Sequence, residues 1–238
     1  MSYYTSITIL IWLALGILCI LVRENARLRS EKKTVFYLTY ILIALAALAE
    51  WLGLKLGGSA APAWLLRLVK CADYTLTPLS GGLIVAQLRN KKTRWRVLLS
   101  RVLILNTVFQ IVALFTGWMT TVDATNHYTH GPLYFVYIIF YLLVAVLVVA
   151  EFVVYGQQFR RQNQISLYAI LFLVIAGIAL QELLGGEYRC AYVSLTLGMA
   201  LLYIRETEFT QQAADSQLHE QHIQITTDAL TGVLSRYA

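Results

Sequence analysis

Read from its N-terminus, the chain sets long apolar runs against short polar breaks that are mostly basic. The runs are continuous and do not alternate residue by residue, which fits lipid-facing helices and not barrel strands. Seven spans are predicted: Thr5–Val22, Thr34–Leu54, Ala63–Leu88, Val97–Gly117, Leu133–Tyr155, Ile165–Leu184 and Tyr188–Ile204. A helix needs about 20 residues to cross the hydrocarbon, and a crossing segment must satisfy its own backbone. The expected fold is therefore all-α, a seven-helix transmembrane bundle over residues 1–204. The third span is irregular: Arg67, Lys70, Asp73 and Pro78 interrupt it, and it ends in Ser80-Gly81-Gly82. The first run has no basic stretch before it and no small-residue cleavage site after it, so it reads as a retained helix and not a signal peptide.

Composition supports the lipid setting. Of 238 residues, 58% are hydrophobic and 13% charged, against about 25% charged in an ordinary soluble domain. The net charge of +6 would suggest nucleic acid in a soluble protein. Here the basic residues concentrate in the odd-numbered loops: Arg23, Arg27, Arg29, Lys32 and Lys33, then Arg89, Lys91, Lys92, Arg94 and Arg96, then Arg160 and Arg161. The fourth loop, Trp118–Pro132, has no Lys or Arg. Positive loops stay inside, so the expected location is the cell's inner (plasma) membrane, multi-pass. The N-terminus is then outside and the C-terminus cytoplasmic, with the lipid bilayer as partner and no nucleic acid. Trp51, Trp64, Trp95 and Trp118 fall near span ends, as interfacial aromatics do.

After Ile204 the chain turns polar. Arg205–Thr227 lacks Gly and Pro and reads as a cytoplasmic helical linker continuing the seventh span. Phe209, Ala214, Leu218 and Ile225 sketch a heptad seam for a homodimer; a solvated single helix accounts for the same pattern equally well.

Ionisable groups inside a bilayer are costly and mark protein interiors or water-filled cavities. The outer halves of the spans collect Glu50, Lys70, Asp73, Gln110, Gln181, Glu182 and Arg189, with Arg67, Asn106 and Glu187 nearby and Glu151 in the inner half. One reading is an outward-facing polar pocket for an extracellular small ligand; the other is a set of salt bridges that fastens the helices together. Lys70 and Asp73, at i and i+3, also fit a simple ion pair. A retinal Schiff base on Lys70 is disfavoured: in rhodopsins the retinal lysine lies in the last span, and the last span here carries none. A transporter or scaffold is the alternative class, although only one span is broken and no internal symmetry is visible. His127 and His130 flank Tyr128-Thr129 in the fourth loop, where a solvated or structural role outweighs a metal site. Cys71 and Cys190 both fall in outer halves; two buried thiols are favoured over a disulfide. No metal, cofactor or catalytic set is expected in this chain.

The last residues, Thr227-Asp228-Ala229-Leu230-Thr231-Gly232-Val233-Leu234-Ser235-Arg236-Tyr237-Ala238, resemble the opening of the GGDEF, or diguanylate cyclase, domain, which begins Asp-x-Leu-Thr-Gly-Leu-x-Asn-Arg. Asp228, Leu230, Thr231, Gly232 and Arg236 match, Val233 replaces Leu, Ser235 stands for Asn, and Tyr237 takes the place of a second Arg. Residues 1–205 look like the histidine-kinase N-terminal seven-helix sensor region, with His127-Tyr128-Thr129-His130-Gly131-Pro132-Leu133-Tyr134 as the local feature. The resemblance implies a membrane signal receptor over 1–204, a signalling helix over 205–227, and the start of a cyclic di-GMP-forming output domain at 228–238. GTP and magnesium would belong to that output domain. Its Gly-Gly-Asp-Glu-Phe loop does not occur here, so the sequence reads as a piece of a longer diguanylate cyclase that makes no cyclic di-GMP by itself.

Overall fold

A computed structural model describes residues 3–88, 93–123, 125–157, 161–184 and 190–226, without the side chains of 161–163, 182, 184, 213 and 220–226. Among the described residues there are seven helices: α1 (Tyr3–Glu24), α2 (Ser30–Leu56), α3 (Ala63–Gln87), α4 (Arg94–Thr116), α5 (Tyr134–Gly156), α6 (Arg161–Leu184) and α7 (Ala191–Thr226). The fold is all-helical apart from one short hairpin, β1 (Thr120–Val122) paired antiparallel with β2 (Tyr128–His130). Five helices, α1, α2, α4, α5 and α6, are long and apolar enough to cross a membrane. The other two fall short of that measure on composition: α3 holds Arg67, Lys70 and Asp73, and the second half of α7 is polar.

Sequence neighbours pack side by side, and α7 returns against α1 and α2 to close the ring. Helix α3 touches α2, α4 and α5 and bonds to α7 through Thr77, so it lies toward the interior. That placement explains its composition, since its charges are shielded by protein and not by lipid. Large apolar side chains face outward instead, among them Phe115 and Leu183 at 82% exposure and Phe172 at 72%. Such an outward apolar face is what lipid requires and water penalises.

The proline in α3 is accommodated locally. Pro78 has no N–H to give to the carbonyl of residue 74, one helical turn back. Asn106 Nδ2 of α4, fully buried, donates to that Tyr74 carbonyl at 3.2 Å. Gln110 Nε2 in turn donates to Asn106 Oδ1 at 3.4 Å. The two amides of α4 therefore repair the backbone of α3.

Helix α4 ends at Gly117, whose φ of 71° is the left-handed conformation that glycine adopts without strain. The hairpin follows. Its Thr-Thr-Val and Tyr-Thr-His strands are β-branched and aromatic. Asp123 Oδ1 holds the turn by accepting from the amides of Thr125 at 2.9 Å and His127 at 2.7 Å. Asn126 sits at φ 59°, which Asn tolerates, and its Nδ2 lies 2.9–3.1 Å from the carbonyls of Leu56, Ser59 and Ala61. The hairpin tip thereby closes over the α2–α3 turn. At the hairpin base the Gly131 amide donates to Met119 at 2.8 Å, and a Cβ on Gly131 would lie 2.3 Å from the Trp118 carbonyl oxygen. The hairpin marks one end of the bundle; Arg23, Arg27, Arg29, Lys32, Lys33, Arg94 and Arg96 lie at the opposite, basic end.

Candidate functional site

The predicted polar positions gather at the hairpin end around two carboxylates. Glu50 of α2, buried, accepts from Tyr4 Oη of α1 at 2.5 Å and from Gln181 Nε2 of α6 at 3.3 Å. Gln181 Oε1 accepts from the amide of Ala191 at 3.0 Å. That amide opens α7 and has no partner within its own helix, so Gln181 caps α7 while holding Glu50. Four helices, α1, α2, α6 and α7, thus meet at one acid.

The second carboxylate is Asp73 of α3, also buried. Lys70 Nζ lies 3.4 Å from Asp73 Oδ2. The lysine stem runs along Gly53 of α2, where a Cβ would come within 3.0 Å of it. Its ammonium is 5.0 Å from the Tyr128 ring centre and 5.9 Å from that of Tyr74, within reach of cation–π attraction. Thr77 Oγ1 lies 3.4 Å from Asp73 Oδ1 and 2.7 Å from Tyr192 Oη of α7. Tyr192 Oη is thus linked to Asp73 through Thr77.

Aromatic side chains wall the hairpin side. Tyr74 Oη hydrogen-bonds Tyr128 Oη, and Tyr128 Oη is 2.5 Å from His130 Nδ1. The rings of Tyr134 and Tyr137 pack on Tyr74 with centres 5.9 and 4.6 Å away, and His130 stacks on Tyr134 at 3.7 Å. The candidate site is therefore a charged, tyrosine-lined cluster over which the hairpin folds.

Of the sequence-selected residues, Glu50, Lys70, Asp73 and Gln181 are brought into this network, while Gln110 serves the Asn106–Tyr74 repair one layer away. Glu182 lies on α6 with its side chain outside the described residues, and Arg189 lies wholly outside them. Tyr4, Thr77 and Tyr192 carry no signal in the sequence, and Tyr128 figures there only as part of the fourth-loop motif. Hydroxyls inside apolar runs are common and give no signal until a carboxylate is found within reach. Cys71 and Cys190 are free thiols, donating to the carbonyls of Gln110 at 3.4 Å and Gly177 at 3.3 Å. A described group of three or more His, Cys, Asp or Glu able to hold a metal ion is not found among the described residues. The cavity lined by Ile84, Phe152, Ile170, Leu195, Met199 and Leu202 lies apart from the polar cluster, is apolar, and has room for about 30 Å³, roughly one water.

Two titrating groups of the hairpin lie outside the helices. Partial burial, with the Lys70 ammonium nearby, holds the His130 imidazole below its ordinary value. Backbone and hydroxyl hydrogen bonds hold the Asp123 carboxyl below its own. The signs differ. A depressed histidine favours its neutral form in the fold, so its contribution is present at neutral pH. It is lost as pH falls from the unfolded value of about 6.5 to the lower folded one. Depressed Asp123 contributes above its ordinary value and loses that contribution only as pH falls through its lowered one. An NMR titration of the His130 ring is expected to give a midpoint below 6.5, moving up in Lys70→Met. A midpoint above 6.5 would contradict the geometry.

Along the predicted signalling helix, Arg205 lies 5.0 Å from the Phe209 ring centre and pairs with Glu208 at 2.7 Å. Ala214 is half-buried and Leu218 is 64% exposed. The Ile225 side chain and the segment holding Asp228, Leu230, Thr231, Gly232 and Arg236 lie outside the described residues. Comparison with protein-family models, with curated proteins and with solved structures found no match to this chain.

Proposed function

We propose that this chain is the sensory part of a membrane receptor. All seven helices cross the bilayer, the hairpin end faces outside, and an extracellular small ligand acts on the Glu50–Lys70–Asp73–Tyr192 cluster. The signal leaves through α7 toward a GGDEF output domain opening at Asp228. Helix α3 qualifies as a span despite its polar residues: its 25 residues exceed the required length, and its charges are turned into the bundle. Helix α7 qualifies through its apolar first half, which packs on α1, α2 and α6. The basic end faces the cytoplasm by the positive-inside rule.

One observation carries the reading. Helix α7 is unbroken from Ala191 to Thr226, so the helix that carries Tyr192 in the polar cluster also ends two residues before Asp228. At 1.5 Å per residue it spans about 54 Å, longer than the roughly 30 Å hydrocarbon core. A rigid rod of that length converts a tilt, turn or piston step at the cluster into a displacement in the cytoplasm. A ligand drives this only through unequal affinity for two α7 positions.

The reading is tested by fusing the chain at Asp228 to a diguanylate cyclase catalytic domain. One to four residues are then inserted between Thr226 and Asp228. Cyclic di-GMP output is expected to rise and fall with the 3.6-residue period, with partial recovery at three or four inserted residues. Output that ignores helical phase rejects transmission through α7.

A further inference from the structure

At the basic end, α7 passes from the bundle into its polar extension within a single turn, and that turn is tied to α1, to the α1–α2 turn and to α2. Asn25, in the α1–α2 turn, donates through Nδ2 to Tyr203 Oη and Thr207 Oγ1, both at 3.2 Å. Tyr203 Oη donates to the Leu21 carbonyl of α1 at 2.9 Å, and its ring meets Phe36 of α2 edge-on with centres 5.6 Å apart. Lys32 Nζ of α2 is 2.7 Å from Glu206 Oε1 and also donates to the Gln87 carbonyl of α3 at 2.7 Å. The Gln87 carbonyl belongs to the last turn of α3, where no helical N–H follows to donate to it, so Lys32 is held at the junction of three helices.

Two features distinguish this turn from ordinary packing. Before it, α7 is fixed by apolar burial at Leu195, Met199 and Leu202; after it, Glu208, Gln211, Gln212 and Asp215 are exposed. Residues 203–207 are thus the fulcrum between a packed and an unpacked segment. The ties at the fulcrum are polar, and the Lys32 and Glu206 side chains are 19% and 15% exposed. A polar tie whose edge reaches water can exchange its partner for water as it opens, whereas buried apolar packing cannot. Contacts that exchange with water suit an element with two positions better than a permanent seam.

We propose that the Lys32–Glu206 pair, with Asn25 and Tyr203, is a releasable lock that holds α7 in the position seen here, and that opening it frees the cytoplasmic extension to move against α1 and α2. This inference rests on the reading of α7 as the signal carrier, but the lock is measured without any output domain.

Spin labels are placed at Arg29→Cys and Gln211→Cys in the full chain, with Cys19, Cys71 and Cys190 replaced by serine, and pulsed electron–electron distances are recorded in lipid nanodiscs. Wild-type contacts are expected to give one narrow distribution. Glu206→Gln, Lys32→Met and Asn25→Ala are each expected to add a second, shifted population, and Glu206→Lys a larger one. The exchanged pair Lys32→Glu with Glu206→Lys is expected to return only part of the way to the wild-type distribution, because a carboxylate at position 32 cannot donate to the Gln87 carbonyl. Distances identical to wild type in all single variants would overturn the lock, as would an exchanged pair as perturbed as Glu206→Lys alone. Glu206→Gln alters no shape and keeps the test readable if the charge-reversed chain fails to insert. Cyclic di-GMP output from the fusion at Asp228 is recorded separately: unchanged output beside shifted distances rejects the signalling reading and leaves the lock standing.

Discussion

Asp73→Ala is expected to destabilise the bundle by about 3–5 kcal/mol, the usual consequence of removing one partner from a buried ion pair. Its carboxylate is the counter-charge to Lys70, whose side chain is 11% exposed. Without it an ammonium is left among Tyr74, Tyr128 and Gly53, where the ring faces compensate only in part. Thr77 also loses a carboxylate contact beside Tyr192. Lys70→Met combined with Asp73→Ala removes both charges and keeps the stem volume, so the double variant is expected to be more stable than Asp73→Ala alone. Equilibrium unfolding in mixed detergent micelles reads the difference. Equal losses in the single and double variants would mean that the pair is not coupled as the geometry states.

The second large effect concerns the contact of α6 with α7. Gly177 of α6 faces Ser194 of α7 so closely that a Cβ would lie 1.7 Å from Ser194 Oγ and 2.2 Å from Ser194 Cβ. Serine's Cβ is fixed to its backbone, so the clash moves the helix and not merely a side chain. Small residues are what allow helices to approach this closely in a membrane. Overpacking ordinarily costs about 1–3 kcal/mol, occasionally more. Gly177→Val is expected at or above the top of that range, because Cys190 Sγ also donates to the Gly177 carbonyl at this contact. Pairing Gly177→Ala with Ser194→Gly is expected to recover part of the loss of Gly177→Ala alone. A neutral Gly177→Ala would show that the two helices stand further apart.

Helix positions were legible in the sequence because the apolar runs are long and the breaks are basic. Predicted Ala63–Leu88 and Val97–Gly117 stand beside observed Ala63–Gln87 and Arg94–Thr116. The helical continuation past Ile204 was legible as well: nothing between Arg205 and Thr226 breaks a helix, and α7 runs through. The hairpin was not expected. Strands of three residues are too short for periodicity to register, although Thr120-Thr121-Val122 and Tyr128-Thr129-His130 around an Asp-Ala-Thr-Asn turn carry its chemistry. At the site the charges announced themselves, since an acid or base in an apolar run demands a reason. Their partners did not: Tyr4, Tyr128 and Tyr192 lie on three different elements, and only tertiary packing brings them to Glu50, Lys70 and Asp73. Gln110 illustrates the opposite case, a polar residue whose place is explained by Pro78 through Asn106 and Tyr74.

The account depends most on a bilayer lying between the hairpin end and the polar second half of α7. Single cysteines at Ala60, exposed in the α2–α3 turn, and at Gln211, exposed on α7, placed in a chain otherwise free of cysteine, decide it. In intact cells a membrane-impermeant maleimide is expected to label Ala60→Cys at once and Gln211→Cys only after permeabilisation. Labelling of both positions from outside, or of Gln211→Cys alone, would contradict it.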